Sequence, residues 1–346
     1  MAAGLILLAG ALLSGSALAD TYRIATFNTE LARDGPGLLL RDIARGGDDQ
    51  IEAVLAVLAA ADADIVALQS FDFDLTGEAL TRFAALARYD HHFALRPNTG
   101  MATGLDMDGD RLLGGPRDAQ GYGRFTGHGG MAVLSRYPIR ADAAQDFSAL
   151  LWEDIPGALL PEVQGDPFPS AEARAAQRLS TTGHWIVPID LPEGPLHLMT
   201  FHASPPVFDG PEDRNGRRNH DELRLWQMIL DGAFGPAPAA PFVLAGDANL
   251  DPEDGQGRKA AITALLSDPR LQATAPQGFS GTDTVDWDDP VPGDLRVSYV
   301  LPSTDLRVVD SAVLWPAPDD PLARIAATAS RHRLVWVDLA IPAAPE

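Results

Sequence analysis

The chain reads as an α/β (α+β) domain, and two observations carry that reading. Apolar runs of strand length alternate with helix-like runs from end to end, which argues against a helical bundle or a sandwich alone. Of 346 residues, 46% are apolar and 21% charged, enough to bury a large core rather than stay disordered. No repeat, charge run or linker divides the pattern, so one domain is expected over residues 20–346.

Strand-like runs occupy Tyr22–Phe27, Ile65–Gln69, Met131–Ser135, Leu196–His202, Phe242–Asp247, Leu295–Leu301, Leu306–Leu314 and Arg333–Ile341. Helix-like runs occupy Gln50–Ala61, Glu78–Ala87, Asn219–Asp231 and Arg258–Leu266. Asn219 with Glu222 three residues later fits a capping box, which sets a helix start at Asn219. Arg96–His128 is rich in Gly and Asp, and Asp142–Thr182 is rich in Pro and small residues. Both read as insertions, the second with room for a short helix from Ser170 to Arg178; loops this long in a compact domain are usually functional or disordered.

Residues 1–19 resemble an export signal: Leu5–Leu13 is apolar, and Ala17-Leu18-Ala19 forms an A-x-A site before Asp20. The segment lacks a basic start and is short for a span. Cleavage would leave a periplasmic or secreted protein with no stable membrane association. The absence of cysteine excludes disulfides and thiolate metal sites. The formal net charge is -22, and Lys259 is the only lysine. Such a surface repels polyanions at long range, so duplex nucleic acid is not drawn in without cations or a local basic patch.

Phe242-Val-Leu-Ala-Gly-Asp247-Ala-Asn249 is the most informative stretch. An apolar strand delivers a carboxylate and, two residues on, a carboxamide expected on the same face. Asp247 can hold or deprotonate a water, and Asn249 can donate to a developing oxyanion. A strand end running into an Asx turn gives the same pattern. Other strand ends also carry polar groups: Asn28 after Tyr22-Arg-Ile-Ala-Thr-Phe, Gln69-Ser70 after Asp64-Ile-Val-Ala-Leu, and His202 after Leu196-His-Leu-Met-Thr-Phe. His332, in Ser330-Arg331-His332, precedes the last strand.

This ordered set resembles the endonuclease/exonuclease/phosphatase superfamily. Gly129–Ile139 is similar to its central strand, and Arg296–Pro302 to its Ile-Asp-Tyr-Val-Leu segment. The resemblance runs from about Tyr22 to Leu339. It implies a four-layer sandwich, two packed β-sheets flanked by helices. It also implies metal-assisted hydrolysis of a phosphoester by direct attack of water. Carried over, Asp247 activates the water and contributes to the metal site, Asn249 steadies the developing charge and contacts phosphate, His202 and His332 flank the phosphate, and Asn28 supports the metal. The implied cofactor is a divalent cation, Mg²⁺, Mn²⁺ or Ca²⁺.

Three positions depart from the family pattern. Ser70 stands where Glu is usual, Arg331 where Asp is usual, and Ser298 where Asp is usual. The first two are the family's metal-holding carboxylates, and Mg²⁺ relies on such groups. Two repairs are open. Asp72, with Asp74 beyond it, shares Ser70's face if the strand continues, so Asp72 could supply the missing carboxylate. Arg331 could replace the ion by binding phosphate bidentately.

Asp106-Met-Asp108-Gly-Asp110 resembles a Ca²⁺ turn but lacks a bidentate Glu, and an ordinary Asp-Gly turn is the favoured reading. The basic cluster from Arg214 to His220 includes Arg217, a candidate phosphate contact ahead of the expected helix start. The remaining histidines show no metal-triad spacing. Two functions compete: a secreted phosphoesterase, or a catalytically degenerate member of the fold that binds a ligand or a protein. Substrate, ion and oligomeric state are left open.

Overall fold

A computed structural model describes residues 20–341. The expected signal segment, residues 1–19, lies outside the described residues.

The chain runs β1 (Thr21–Leu31), α1 (Leu38–Arg45), α2 (Asp49–Ala61), β2 (Ile65–Phe71), α3 (Glu78–Leu86), β3 (His91–Phe93) and β4 (Gly130–Ser135). The middle comprises β5 (Gln145–Asp146), β6 (Glu162–Val163), β7 (Asp166–Pro167), α4 (Ala171–Ala176), β8 (His184–Leu191), β9 (Gly194–His202) and α5 (Arg214–Leu230). It ends with β10 (Phe242–Asp247), α6 (Ala260–Leu266), β11 (Ser298–Pro302), β12 (Arg307–Val313), α7 (Pro321–Ala329) and β13 (Val335–Ala340).

Two mixed sheets result. The first has the order β12-β13-β1-β2-β4-β3, the second β11-β10-β9-β8-β5. Their central strands are buried on both faces, and side-chain alternation sorts the residues. Ile24, Ile65 and Ala67 of the first sheet meet Val187, Leu198, Val243 and Ala245 of the second in one apolar layer. The opposite faces of β1 and β2, through Ala25, Phe27, Val66 and Leu68, pack with Val54, Leu58 and Phe83 of α2 and α3. Leu244 and Phe201 of the second sheet pack with Trp226 of α5 and Ile262 of α6. Helices therefore cover the outer face of each sheet, as the four-layer expectation requires.

Three differences from the sequence reading have physical causes. The strand β8 contains Pro188, which argues against a central strand. Only Trp185 and Ile186 pair with β5; beyond them the chain meets β8 in a single bridge, Ile139 to Ile189, where Pro188 is needed only as an acceptor, its O taking Arg140 N at 2.9 Å, and β8 pairs with β9 over its whole length. Helix α5 starts at Arg214, five residues before the expected cap. Asn219 is instead buried within it, donating to Ser204 O and Ala248 O at 2.7 Å each, and Glu222 accepts from Ser204 N at 2.7 Å. Tertiary bonds, not a capping box, account for the pair. Helices α1 and α7 also went unseen; both are short, and α7 begins with Pro321 at its first turn, where the missing N–H costs nothing.

Candidate active site

The residues that meet at the open end of the inter-sheet layer are placed there by strand parity. Asn28 shares the inward face of β1 with Ile24, and Asp247 shares that of β10 with Val243 and Ala245. β10 ends at Asp247 and the β1–β2 register breaks just after Asn28, and there carboxamide and carboxylate meet across the gap. Asn28 Nδ2 donates to Asp247 Oδ2 at 2.8 Å. In the parallel β9–β10 pair His202 lies beside Asp247, with Nε2 3.9 Å from the same oxygen. His332 arrives just before β13, with Nδ1 3.4 Å from Oδ2 and Nε2 3.4 Å from Asn28 Nδ2. Gly246, before the carboxylate, packs against β9: a Cβ there would lie 2.4 Å from Phe201 O.

Burial is the main influence on both imidazoles. It pushes His202 and His332 below the ordinary histidine value against the pull of Asp247. Asp247 itself is fully buried, and its other oxygen accepts from Asn249 N at 2.8 Å. This closes an Asx turn, with Asn249 in the left-handed region at φ 49. The chain has left the strand by then, so the same-face expectation for Asn249 fails. The turn nonetheless brings Asn249 to the cleft wall, with Nδ2 bonded to Ala203 O at 2.9 Å. Ser298 Oγ is buried beside Asp247 in register, with no hydrogen-bond partner among the described residues.

Beside this group lies a cleft of about 970 Å³, with Asp247 buried behind its wall. Asn28, His202, Asn249, His332 and Arg331 line it. Two lining residues escaped sequence reasoning. Glu30 is two positions past Asn28 on β1, and that spacing was the signal available. Trp287 stands edge-on to His332, ring centroids 5.9 Å apart at 89°. It sits in a loop with no periodicity to betray it.

Two expected contacts lie elsewhere. Asp72 is buried under the loop, accepting from Gly129 N at 2.7 Å and Arg33 N at 2.8 Å, and is absent from the cleft lining. Burial pushes its carboxyl up to about 6, against those two bonds. Its displacement follows from Ser70, whose φ of 55 and register shift end the face parity on which the expectation rested. Arg217 also turns away, donating to Glu212 O at 3.1 Å and Leu160 O at 3.4 Å. Its neighbour Arg218 is buried and spent on the carbonyls of Leu179, Gln120, Arg178 and Ser180. Because α5 starts early, most of the basic cluster becomes scaffold.

The donor set beside Asn28 does not fit a carboxylate-held divalent ion. Ser70 and Arg331 bring no carboxylate, and Glu30 is already taken: Oε2 accepts from Arg331 N at 2.8 Å and Oε1 from Arg331 Nε at 2.9 Å. Among the described residues, the one group of three potential ligands is Asp106, Asp108 and Asp118. There Asp106 accepts from Gly109 N at 2.6 Å and Arg111 N at 2.9 Å, and Asp118 from Met107 N and Gly115 N at 2.9 Å each. Asp118, not Asp110, completes that group.

Comparison with known proteins agrees with this architecture. The Endonuclease/Exonuclease/phosphatase family profile matches residues 25–332. No curated protein matches the chain in sequence. Among solved structures, an endonuclease/exonuclease/phosphatase from Beutenbergia cavernae is 20% identical at TM-score 0.56, covering 93% of this chain and 72% of that one. Sphingomyelinase C from Streptomyces griseocarneus is 19% identical at TM-score 0.51, over 92% and 99% of the two chains. The human Nocturnin catalytic domain with bound sulfate is 15% identical at TM-score 0.51, over 92% and 94%. At these identities the likeness establishes the fold. Members of the family are typically hydrolases acting on phosphoester bonds, usually with divalent cations. From its profile match and its two-sheet sandwich, this chain belongs to the endonuclease/exonuclease/phosphatase family.

Proposed function

We propose that the protein is an exported phosphoesterase that hydrolyses a small phosphomonoester or phosphodiester by direct attack of water. The observation that carries this is the convergence of Asn28, His202, His332 and Asn249 on Asp247 at one end of the inter-sheet layer. A buried carboxylate held by two donors, Asn28 Nδ2 and Asn249 N, beside two neutral imidazoles is placed to take a proton, and a core has no need of it.

In this reading Asp247 orients the water and accepts its proton as oxygen attacks phosphorus. The bond from phosphorus to the leaving oxygen breaks, and a flanking imidazole, His202 or His332, takes the proton from Asp247 and passes it to that oxygen. Asn249 supplies a donor to the phosphoryl oxygens. No step is routed through a cation, because the donor set offers none the usual carboxylates. Export rests on residues 1–19 alone. The net charge of -22 and the inward-turned basic cluster favour a small substrate over duplex nucleic acid.

A panel of phosphomonoesters, phosphodiesters, single-stranded and duplex nucleic acid tests this, each with Mg²⁺, Mn²⁺, Ca²⁺ or a chelator. Turnover of a small ester, abolished in Asp247→Asn, is expected. No turnover of any substrate, with tight binding of one, would favour the degenerate binding module.

A further inference from the structure

We propose that the Glu30–Arg331 pair occupies, in this cleft, the role that a divalent cation fills elsewhere in the family, so that phosphate is received by a tethered guanidinium. This rests on the phosphoesterase reading above. The first support is the exchange of residues. The end of β2 offers Ser70, and the residue before His332 is cationic. Glu30 brings a carboxylate to the same cleft from β1.

The second support is how that carboxylate is used. Its Oε2 accepts from Ser330 Oγ at 3.1 Å and from Arg331 N at 2.8 Å. Its Oε1 accepts from Arg331 Nε at 2.9 Å and also from Nη2. An incoming divalent ion would have to break these bonds and then sit against a fixed positive charge. The guanidinium pairing holds the Glu30 carboxyl below its ordinary value, although burial opposes it.

The third support is position. Ser330, which also anchors Glu30, lies 2.8 Å by Oγ from Asn28 O and accepts from His332 N at 3.0 Å. The tether is thus one backbone unit with the catalytic imidazole. Arg331 commits Nε and Nη2 to Glu30, while Nη1 makes no hydrogen bond among the described residues and the side chain is 64% exposed. That leaves a donor for a phosphate oxygen. A guanidinium supplies charge but cannot ionise a water, so proton removal falls to Asp247.

Two measurements on the whole chain test the proposal. In the first, Mn²⁺ is added and paramagnetic broadening of the His202 and His332 imidazole signals is followed by NMR, which separates the cleft from Asp106 and its neighbours. The wild type should show none, and Ser70→Glu/Arg331→Asp should show strong broadening. Broadening in the wild type at sub-millimolar Mn²⁺ overturns the proposal. In the second, inorganic phosphate binding is measured by calorimetry in chelator. Arg331→Ala should weaken it about ten- to a hundredfold, and Arg331→Lys should recover only part. Unchanged affinity in Arg331→Ala overturns it as well. Absence of any ester turnover would sink the phosphoesterase reading while leaving both binding results to judge the pair.

Discussion

Asn28 and Asp247 touch across the two sheets: the carboxamide donates to Oδ2 at 2.8 Å, and the same oxygen lies 3.4 Å from His332 Nδ1. One oxygen thus collects the polar groups of both sheets. Asp247→Asn keeps the shape and removes the proton acceptor. Hydrolysis should fall by roughly 10²–10⁴-fold, the usual worth of a positioned general base. Turnover and a thermal melt on the same sample check this; full activity in a folded variant would assign Asp247 a purely structural part.

Burial holds His202 and His332 below the ordinary histidine value, so both are neutral near pH 7. The acid limb of kcat/KM should therefore fall below about pH 6.5. His332→Gln or His202→Gln should remove part of that limb as well as lowering the rate. A limb well above pH 6.5 would place a different group in control.

A stability prediction concerns His184, packed under the cleft. Its Nδ1 lies 2.6 Å from Ser180 Oγ and its Nε2 3.0 Å from Glu222 O. Burial lowers it to about 4. A depressed histidine means the unfolded chain binds the proton more readily. Its contribution is fully present above about pH 6.5 and is lost as pH falls towards 4, at up to roughly 1.4 kcal/mol per unit. Denaturant unfolding from pH 7 to 4.5 should show a shallower loss in His184→Gln than in the wild type. Equal slopes would refute a neutral buried imidazole.

Trp287 walls the cleft and stacks edge-on to His332. Trp287→Ala should cost about 0.5–1.5 kcal/mol of aromatic contact, seen as a higher KM and a modest loss of kcat. A change confined to thermal stability would make it a packing residue.

What the sequence made legible follows from what is local. Tyr22–Phe27, Phe242–Asp247 and Leu196–His202 announced themselves because a strand buried on both faces is a short apolar run, and their polar ends named Asn28, Asp247 and His202. Asp72 and Arg217 were misplaced because each depended on parity or on a helix start. A left-handed Ser70 and an α5 that begins at Arg214 overturned those premises. Neither shows in spacing. Glu30 was passed over because its partner, Arg331, is 301 residues away. Sequence proximity carries no sign of such a contact.

The apolar layer between the sheets has a further consequence. The first sheet brings Asn28 and His332, the second His202, Asp247 and Asn249. Neither half holds all five groups, so in the proposed reaction the separation of the two sheets is itself a coordinate. Trp185, Val187, Val243 and Val337 act as spacers that set it. A core substitution far from the cleft, such as Val243→Ala, would let the sheets settle and alter the reach from Asn28 to Asp247. Tolerance of core mutations in this protein should therefore be narrower for turnover than for folding.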